Sequence, residues 1–350
     1  MNLPMPDLRH LAGMTDDTGL FEHARAAVPR RAHGYCSDDA GRALAVTCGW
    51  EDPTAERLSE IYLAFLSHLH LGGGRFALRL GHDRRVIDRD VSDDACGRAI
   101  FGLGVAAAST APRQITEGAR ELFCKTTSFR SRWPHAMAYA ALGAAAVLAD
   151  DPDQPHAAEL LRDAATMIAQ ATGHRHWPET RLRYANALLP ECLLAAGAIL
   201  NDTRFERTGL RLLDWLVAQE TAPQGHFSFT PTHGWTGGKP RPAFDQQPIE
   251  AGAMADAAAR AFTMTGQADW ADVTIRAAEW FTGRNDLGVT MFDERTGGCF
   301  DGLQVDGPNL NQGAESTIAF LTALRRAHEV APPERPSRAA AAMVYDSTRR

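Results

Sequence analysis

The chain has 350 residues, of which 45% are hydrophobic and 23% are charged, and its formal net charge is -7. These proportions are typical of a globular protein of one or two domains, and the acidic balance argues against a nucleic-acid binder, which would carry a basic patch. Six scattered cysteines, an N-terminus without a signal-like segment and the lack of any apolar run near about 18 residues predict a cytoplasmic protein with reduced thiols and no membrane association.

A Ser-Asp-Asp motif occurs twice, at residues 37–39 and 92–94. Each copy leads into an apolar run rich in Ala and Gly, with an arginine about one helical turn later, Arg42 and Arg98. A Ser or Asp before an apolar run is an N-cap signal, because its side-chain oxygen accepts from free backbone N–H groups of the first turn. A cap needs one such residue, so the additional acids suggest a functional site.

Helical spacing of apolar residues predicts that most of the chain forms pairs of adjacent helices. The predicted pairs are 37–50 with 53–71, 93–109 with 113–128, 133–149 with 155–173, 182–200 with 203–220, and 246–265 with 268–284, followed by a helix at 311–329. The partner of that last helix is either the Ala-rich segment 337–345 or a short N-terminal helix near 19–27. Strand signals are confined to 74–89, 226–230 and 298–304, the first being a hairpin centred on Gly81-His82-Asp83.

Polar clusters lie at the start of the first helix of each pair, whereas the second helices start with fewer acidic, amide and aromatic residues. The first helices are apolar on nearly all faces, which indicates burial on all sides. In a closed ring of alternating inner and outer helices, all inner helices start on one side, so their polar starts would form one surface. We therefore predict an all-α toroid with long loops and minor β-hairpins on one face, in one domain at 1–330 with a Pro/Ala-rich tail at 331–350.

This architecture resembles the six-hairpin (α/α)6 glycosidase-like fold, which many carbohydrate-active enzymes and sugar 2-epimerases share. Four motifs, GYCSDDAGRAL, WPETRLRYANALLPE, FDQQPIEA and NQGAEST, resemble those of a bacterial group found beside or fused to glycosyltransferases. The resemblance implies a small saccharide or oligosaccharide as ligand, no cofactor, and a glycosyltransferase or glycoside phosphorylase of the same pathway as a candidate partner. Glycosyltransferase activity itself has no support, because the sequence lacks an alternating β/α pattern and a glycine-rich nucleotide loop.

Glycoside hydrolysis needs two carboxyl groups, one protonated to donate to the leaving oxygen and one ionised to activate water or to attack. Clustered acids at a helix-lined mouth can meet this need, since repulsion and burial raise one pKa while a neighbouring arginine holds another low. We expect the catalytic pair among Asp39, Asp94 and Asp245, with Glu179 in reserve.

Sugar sites also use aromatic platforms, planar amides and charged side chains, and these cluster at the same helix starts. The expected substrate-binding residues are Asp16, Asp17, His33, Tyr35, Asp38, Arg42, Asp93, Arg98, Trp133, Trp177, Arg183, Tyr184, Asn186, Gln246, Gln247, Glu250, Asn311, Gln312 and Glu315. No metal site is predicted. Arg42 stands where a DDxxD magnesium motif has an acid, and His68 and His70 diverge on a helix.

Three functions stay open on the sequence alone. The leading hypothesis is a glycoside hydrolase with a carboxylate pair. The second is a sugar epimerase or isomerase of the N-acylglucosamine 2-epimerase type, which requires a proton-transferring histidine pair, with His33 first and His23 and His135 behind it. The third is a non-catalytic glycan-binding partner of a glycosyltransferase.

Overall fold

Helices make up most of the structure, a computed structural model that describes residues 3–88, 91–173, 175–238 and 240–331. In chain order they are α1 (Arg9–Gly13), α2 (Ser37–Thr47), α3 (Pro53–Leu69), α4 (Asp93–Ala107), α5 (Arg113–Cys124), α6 (Pro134–Asp150), α7 (Pro155–Thr172), α8 (Leu188–Leu200), α9 (Thr203–Glu220), α10 (Pro248–Thr265), α11 (Ala268–Glu279) and α12 (Ala314–Val330). None of these helices is long and apolar enough to cross a bilayer.

The helices form a closed ring. Helices α2, α4, α6, α8, α10 and α12 contact one another in that order, and α12 closes the ring against α2. Helices α3, α5, α7, α9 and α11 pack outside them, each against the inner helix that precedes it. The predicted (α/α)6 toroid is therefore confirmed, and the short α1 packs on α12. The alternative partner at 337–345 lies outside the described residues.

Short antiparallel strands lie in the connections that lead into inner helices. They are β1 (Ala24–Arg25), β2 (Val28–Pro29), β3 (Tyr35–Cys36), β4 (His70–Gly72), β5 (Arg75–Phe76), β6 (Arg79–Leu80), β7 (Val86–Asp88), β8 (Phe292–Asp293), β9 (Gly298–Cys299), β10 (Gly302–Gln304) and β11 (Gly307–Asn309). They pair as β1-β2, β3-β6-β7, β4-β5, β8-β9 and β10-β11, with Tyr35 opposite Leu80. All of them therefore lie at the end of the ring where the inner helices begin.

Close backbone contact holds one half of the inner ring together. A Cβ atom added to Gly97 would lie 2.3 Å from the carbonyl oxygen of Ala136, and one added to Gly104 would lie 2.2 Å from that of Gly143. Gly102 is as close to Gly41, with 2.1 Å between the added Cβ and the carbonyl oxygen. Because no side chain fits at these crossings, glycine allows α2, α4 and α6 to approach closely.

Several local predictions were wrong. Residues 19–27 are not helical, because Ala26 adopts φ 48° and turns the chain between β1 and β2. Segment 226–230 forms no named strand, and Phe227 makes only an isolated bridge to Thr221. Ser92 caps α4 as predicted, accepting from the backbone N–H of Ala95, but Ser37 does not cap α2 and instead donates to the carbonyl of Leu78.

Three predicted helix starts also shift, and α12 begins at Ala314 and not at 311. Helix α10 begins at Pro248, which suits the first helical position because proline has no N–H to leave unpaired there. Helix α8 begins at Leu188 and not at 182, because the buried carboxylate of Glu250 binds the backbone N–H groups of Ala185 and Asn186. That contact holds Ala185 at φ 45°, outside helical geometry.

Candidate functional site

Cross-helix contacts join the polar starts of the inner helices. At the start of α2, Arg42 Nη1 lies 2.9 Å from Glu315 Oε2 of α12, and Asp38 accepts a hydrogen bond from Arg98 of α4. At the start of α4, Asp94 accepts a hydrogen bond from the hydroxyl of Tyr184, which precedes α8. The loop before α8 is tied in turn to α10 by Glu250. These contacts thus connect the polar starts of five inner helices, α12, α2, α4, α8 and α10.

A cavity of about 480 Å³ opens in this surface, and we call it the upper cavity. It is lined by residues 91–94 before and at the start of α4, by 132–135 around the start of α6, and by Glu179, Arg183 and Tyr184. Its volume falls in the usual range for small-molecule sites, roughly 300 to 1,000 Å³. Three separate stretches of sequence supply its walls.

The upper cavity contains groups suited to acid–base chemistry. Burial raises the pKa of Glu179 above its ordinary value, Arg183 and Arg181 oppose that shift, and the negative charge of Asp94 adds to it. Burial, together with Arg98 and Arg183, lowers the pKa of His135 to about 3, so its imidazole is neutral at pH 7. The two side chains are neighbours, with His135 Nδ1 3.8 Å from Glu179 Oε2. The cavity therefore holds a carboxyl group shifted toward its protonated form beside a neutral histidine.

Polar atoms without partners concentrate around the same cavity. His135 Nε2, Glu179 Oε2 and Arg183 Nε are buried and have no hydrogen-bond partner among the residues that the structure describes. A buried polar atom left unpaired costs roughly 1 to 3 kcal/mol, which is why such atoms are few in native proteins. All three residues line the upper cavity, and Arg183 Nε lies 3.6 Å from Glu179 Oε1, an ion-pair distance.

A layer of ion pairs lies beside the upper cavity, and we call it the arginine layer; it consists of Asp38, Asp39, Arg42, Arg98 and Glu315. Arg42 Nη2 lies 2.8 Å from Asp38 and 2.7 Å from Asp39. Burial alone would raise the pKa of Asp38, but Arg42 and Arg98 hold it below its ordinary value. Burial also raises the pKa of Asp39. Arg42 opposes this shift, and the negative charge of Asp38 adds to it. These five side chains form ion pairs with one another, and the pairs connect α12, α2 and α4.

Of the four acids expected to be catalytic, the structure brings two to the upper cavity. Asp94 and Glu179 line it, whereas Asp39 is buried in the arginine layer. Asp245 follows a cis peptide bond after Phe244 and is not among the lining residues; its carbonyl accepts from the backbone N–H of Thr232 at 2.9 Å. Glu179, the acid held in reserve, thus shares the cavity with Asp94, whereas Asp39 and Asp245 are not among the lining residues.

The expected binding residues fall into several groups. Asp93, Trp133, Arg183 and Tyr184 line the upper cavity, and Asp38, Arg42, Arg98 and Glu315 belong to the arginine layer. Side chains that hold the surrounding loops, through hydrogen bonds or ring stacking, are those of Asp16, Tyr35, Trp177, Asn186, Gln246, Glu250, Asn311 and Gln312. Asp17 is exposed and pairs with Arg84, His33 packs edge-on against His23, and Gln247 precedes α10 at its N-cap.

Two cavity residues are not evident from the sequence. The sequence favours His33 over His135, yet His135 is the buried histidine of the cavity and His33 is not among its lining residues. Arg132 was not singled out, although it lines the cavity and its guanidinium lies 4.7 Å from the ring centroid of Trp133. Both flank Trp133 in the polar start of α6, and that proximity was the available signal.

No protein-family model matches the chain, and no curated protein matches it either. Solved structures do resemble it. The cellobiose 2-epimerase from Spirochaeta thermophila superposes with a TM-score of 0.68 at 11% identity, over 92% of this chain and 94% of that one. The cellobiose 2-epimerase from Bacillus thermoamylovorans gives 0.69 at 10% identity, over 92% and 96%. A cellulase from C. cellulolyticum gives 0.61 at 9% identity, over 89% and 87%. At such identities the likeness shows the shared toroid fold.

Proposed function

We propose that this chain is a carbohydrate-active enzyme that cleaves a glycosidic bond of a small oligosaccharide in the upper cavity. One observation carries the proposal: two carboxyl groups of a single cavity have different surroundings. Glu179 is buried and its pKa is raised, whereas Asp94 accepts a hydrogen bond from Tyr184. A protonated acid beside an acceptor carboxylate is the pair that glycoside hydrolysis requires.

The roles follow from these surroundings. Glu179 donates its proton to the glycosidic oxygen as the bond to the anomeric carbon breaks. Asp94 activates a water molecule or attacks the anomeric carbon itself, and the hydroxyl of Tyr184 keeps the Asp94 carboxylate oriented. His135 offers its buried Nε2, which has no hydrogen-bond partner among the described residues, to a sugar hydroxyl group. Arg183 Nε lies 3.6 Å from Glu179 Oε1 and holds that carboxyl group in the cavity. Trp133 is 44% exposed at the cavity and supplies a flat surface for a pyranose ring.

A second candidate, a sugar epimerase or isomerase, rests on His135. Its neutral imidazole has an Nε2 without a hydrogen-bond partner that can accept a proton from the carbon next to a sugar carbonyl, and Glu179 lies beside it to exchange protons with the carbonyl oxygen. The lowered pKa of His135 makes it a weak base for this step. The likeness to two cellobiose 2-epimerases favours the same assignment. Against it, His135 is the single histidine among the lining residues, where a two-base mechanism would use two.

One isotope experiment separates these functions. The protein is incubated with manno- and gluco-oligosaccharides, once in water enriched in oxygen-18 and once in deuterium oxide. Hydrolysis places oxygen-18 on the new reducing end and no deuterium on carbon. Epimerisation or isomerisation places deuterium at C2 or C1 and leaves the glycosidic bond intact. Binding with neither label would contradict both enzymatic assignments and leave a glycan-binding partner, for instance of a glycosyltransferase.

The variant Asp94→Asn tests whether any product is formed in the upper cavity. Its control is Asp153→Asn, which changes an exposed acid in a loop. If Asp94→Asn binds saccharide normally but forms no product while Asp153→Asn behaves like the unaltered protein, the carboxylate mechanism holds. Undiminished cleavage by Asp94→Asn would remove Asp94 from the mechanism.

A further inference from the structure

A second cavity, of about 360 Å³, lies inside the ring, and we call it the lower cavity. All six inner helices line it, from Arg42 and Tyr139 at one end to Arg260, Arg325 and Arg326 at the other. Tyr139 lines the lower cavity and Tyr184 lines the upper one, and the guanidinium of Arg98 contacts both rings, at 5.0 and 5.6 Å from their centroids. The arginine layer therefore separates the two cavities.

The walls of the lower cavity are apolar and only partly covered by protein. Phe101, Val105 and Ile199 line it and are half-buried, although each lies on an inner helix. Small side chains such as Ala146 and Ala253 leave the space between the helices unfilled. An inner helix of a closed core would bury such residues completely. Covering them with a hydrocarbon chain would remove apolar surface from water, which favours binding.

Charges at the far end of the lower cavity are matched pair by pair. Arg260 Nη2 lies 3.0 Å from Glu191, Arg326 Nε lies 2.6 Å from Asp256, and Arg325 Nε lies 2.8 Å from Glu329. At the near end, Arg42 is paired within the arginine layer. Each arginine that lines the cavity thus has a carboxylate partner. A charged head group would have to displace one of these pairs, whereas an uncharged polar group can accept from their N–H groups without displacing any.

We propose that the lower cavity binds an uncharged amphiphile with a single short alkyl chain. The chain lies along the apolar walls, and the hydroxyl or other neutral head group lies among the ion pairs of Arg260, Arg325 and Arg326. The cavity has room for one such chain: on α10 its lining runs from Ile249 to Arg260, a distance of about 16 Å at 1.5 Å per residue. This site is independent of saccharide turnover in the upper cavity.

Displacement of a neutral fluorescent probe, N-phenyl-1-naphthylamine, from the full-length protein at pH 8 tests the proposal. The competitors are 1-octanol, octanoate and octyltrimethylammonium, each below its micelle concentration. We expect 1-octanol to displace the probe and both charged competitors to be at least tenfold weaker. Ala253→Phe and Ala146→Phe, which fill the lower cavity, should each weaken binding of 1-octanol at least tenfold. Ala268→Phe, at an exposed position on α11, is the matched control and should leave binding unchanged.

Three results would overturn the proposal: no probe binding by the unaltered protein, equal or better displacement by either charged competitor, or unchanged 1-octanol binding in a folded Ala253→Phe or Ala146→Phe variant. Circular dichroism checks that each variant is folded. If neither variant folds, the ranking of the three competitors on the unaltered protein decides the matter.

Discussion

The upper and lower cavities share one ring of helices but treat polar groups in opposite ways. Around the upper cavity, His135 Nε2 and Glu179 Oε2 are buried without a partner among the described residues. Around the lower cavity, the arginines 260, 325 and 326 each contact a carboxylate. The comparison shows that the ring of helices does not by itself determine the chemistry of either cavity. What distinguishes the two ends is whether their charged side chains are satisfied by the protein or left available to a ligand.

The connections between helices explain this difference. The connections that lead into inner helices are long, as at residues 173–187 and 221–247, whereas those that lead into outer helices are short, as at 201–202 and 266–267. Long connections can bring residues such as Glu179 and Tyr184 over the ring from positions outside any helix. Short ones leave the other end to side chains of the helices themselves, whose fixed spacing favours pairing between neighbours.

The largest effect should come from Glu179→Gln, which removes the proposed general acid of the upper cavity. We expect kcat/KM to fall about 10³-fold, since a general acid contributes roughly 10² to 10⁴, while saccharide binding persists. Because the acid must be protonated and burial raises its pKa, the activity of the unaltered protein should decline as pH rises through that raised value. Kinetics across pH 4 to 9 measure both.

Glu117→Gln, which changes an exposed acid on α5, is the control and should keep full activity. A Glu179→Gln variant with normal kcat/KM would contradict the assignment of Glu179 as the general acid. So would a variant whose activity still declines at high pH as it does in the unaltered protein. The lower cavity should not respond to this change, and probe binding there should be unaltered.

Gly104→Ala should damage both cavities at once, because it separates the helices that frame them. The added Cβ would lie 2.2 Å from the backbone oxygen of Gly143, so α4 and α6 would have to move apart to accommodate it. We expect a loss of about 3 kcal/mol in the free energy of unfolding, at the upper end of overpacking effects. Urea denaturation measures it.

Gly13→Ala is the matched control, since a Cβ there meets nothing within 4 Å. It should be neutral or slightly stabilising, because alanine favours a helix by up to about 1 kcal/mol over glycine. Equal stabilities for the two variants would show that the close approach of α4 and α6 can relax at little cost.

The fold could be predicted from the sequence because its signals are local. Apolar spacing fixes where α3 or α9 lies, and Ser92 caps its helix from within one turn of chain. The site could not be predicted to the same depth, as the two Ser-Asp-Asp motifs show. Arg42 pairs with the acids of its own helix, but Arg98 reaches across to Asp38 of α2 and leaves Asp94 to Tyr184. The two copies differ by one residue in spacing, since Arg42 follows Asp39 by three residues and Arg98 follows Asp94 by four. That difference does not reveal which neighbours in space each arginine and acid will meet.

The lower cavity was missed for a related reason. Inner helices that are apolar on every face predict burial on every face, and most of their residues are indeed buried. Whether six such helices meet at the axis depends on the summed size of their side chains, which no single helix reveals. Phe101 and Ile199 are half-buried and line this cavity together with several alanines.

A smaller effect concerns Glu191, whose pKa is raised to about 7 chiefly by burial. A raised folded-state pKa contributes stability that is complete below about pH 4.3, the unfolded value, and is lost as pH rises through 7. The stability of the unaltered protein relative to Glu191→Gln should therefore fall by about 1 to 3 kcal/mol between pH 5 and pH 8. Urea denaturation of both proteins at the two pH values gives the difference.

Glu159→Gln, at an exposed position on α7, provides the reference for the same pair of measurements. If the stability difference for Glu191→Gln stays constant with pH, then the acid of the Arg260 pair titrates alike in the folded and unfolded chain. The side chain of Glu191 would then be less buried than the structure indicates.

The smallest effect should come from Trp133→Ala at the mouth of the upper cavity. The indole ring is 44% exposed, and the guanidinium of Arg132 packs on one of its faces. This contact fixes the orientation of the ring, on which a sugar would stack. Losing a stacking surface should weaken binding about tenfold, equivalent to about 1.4 kcal/mol, and raise KM while kcat stays the same. Trp133→Phe keeps an aromatic face and should recover most of the affinity. If instead kcat falls and KM does not, Trp133 acts on the reacting groups beside it, and the upper cavity places its sugar deeper than the exposed ring suggests.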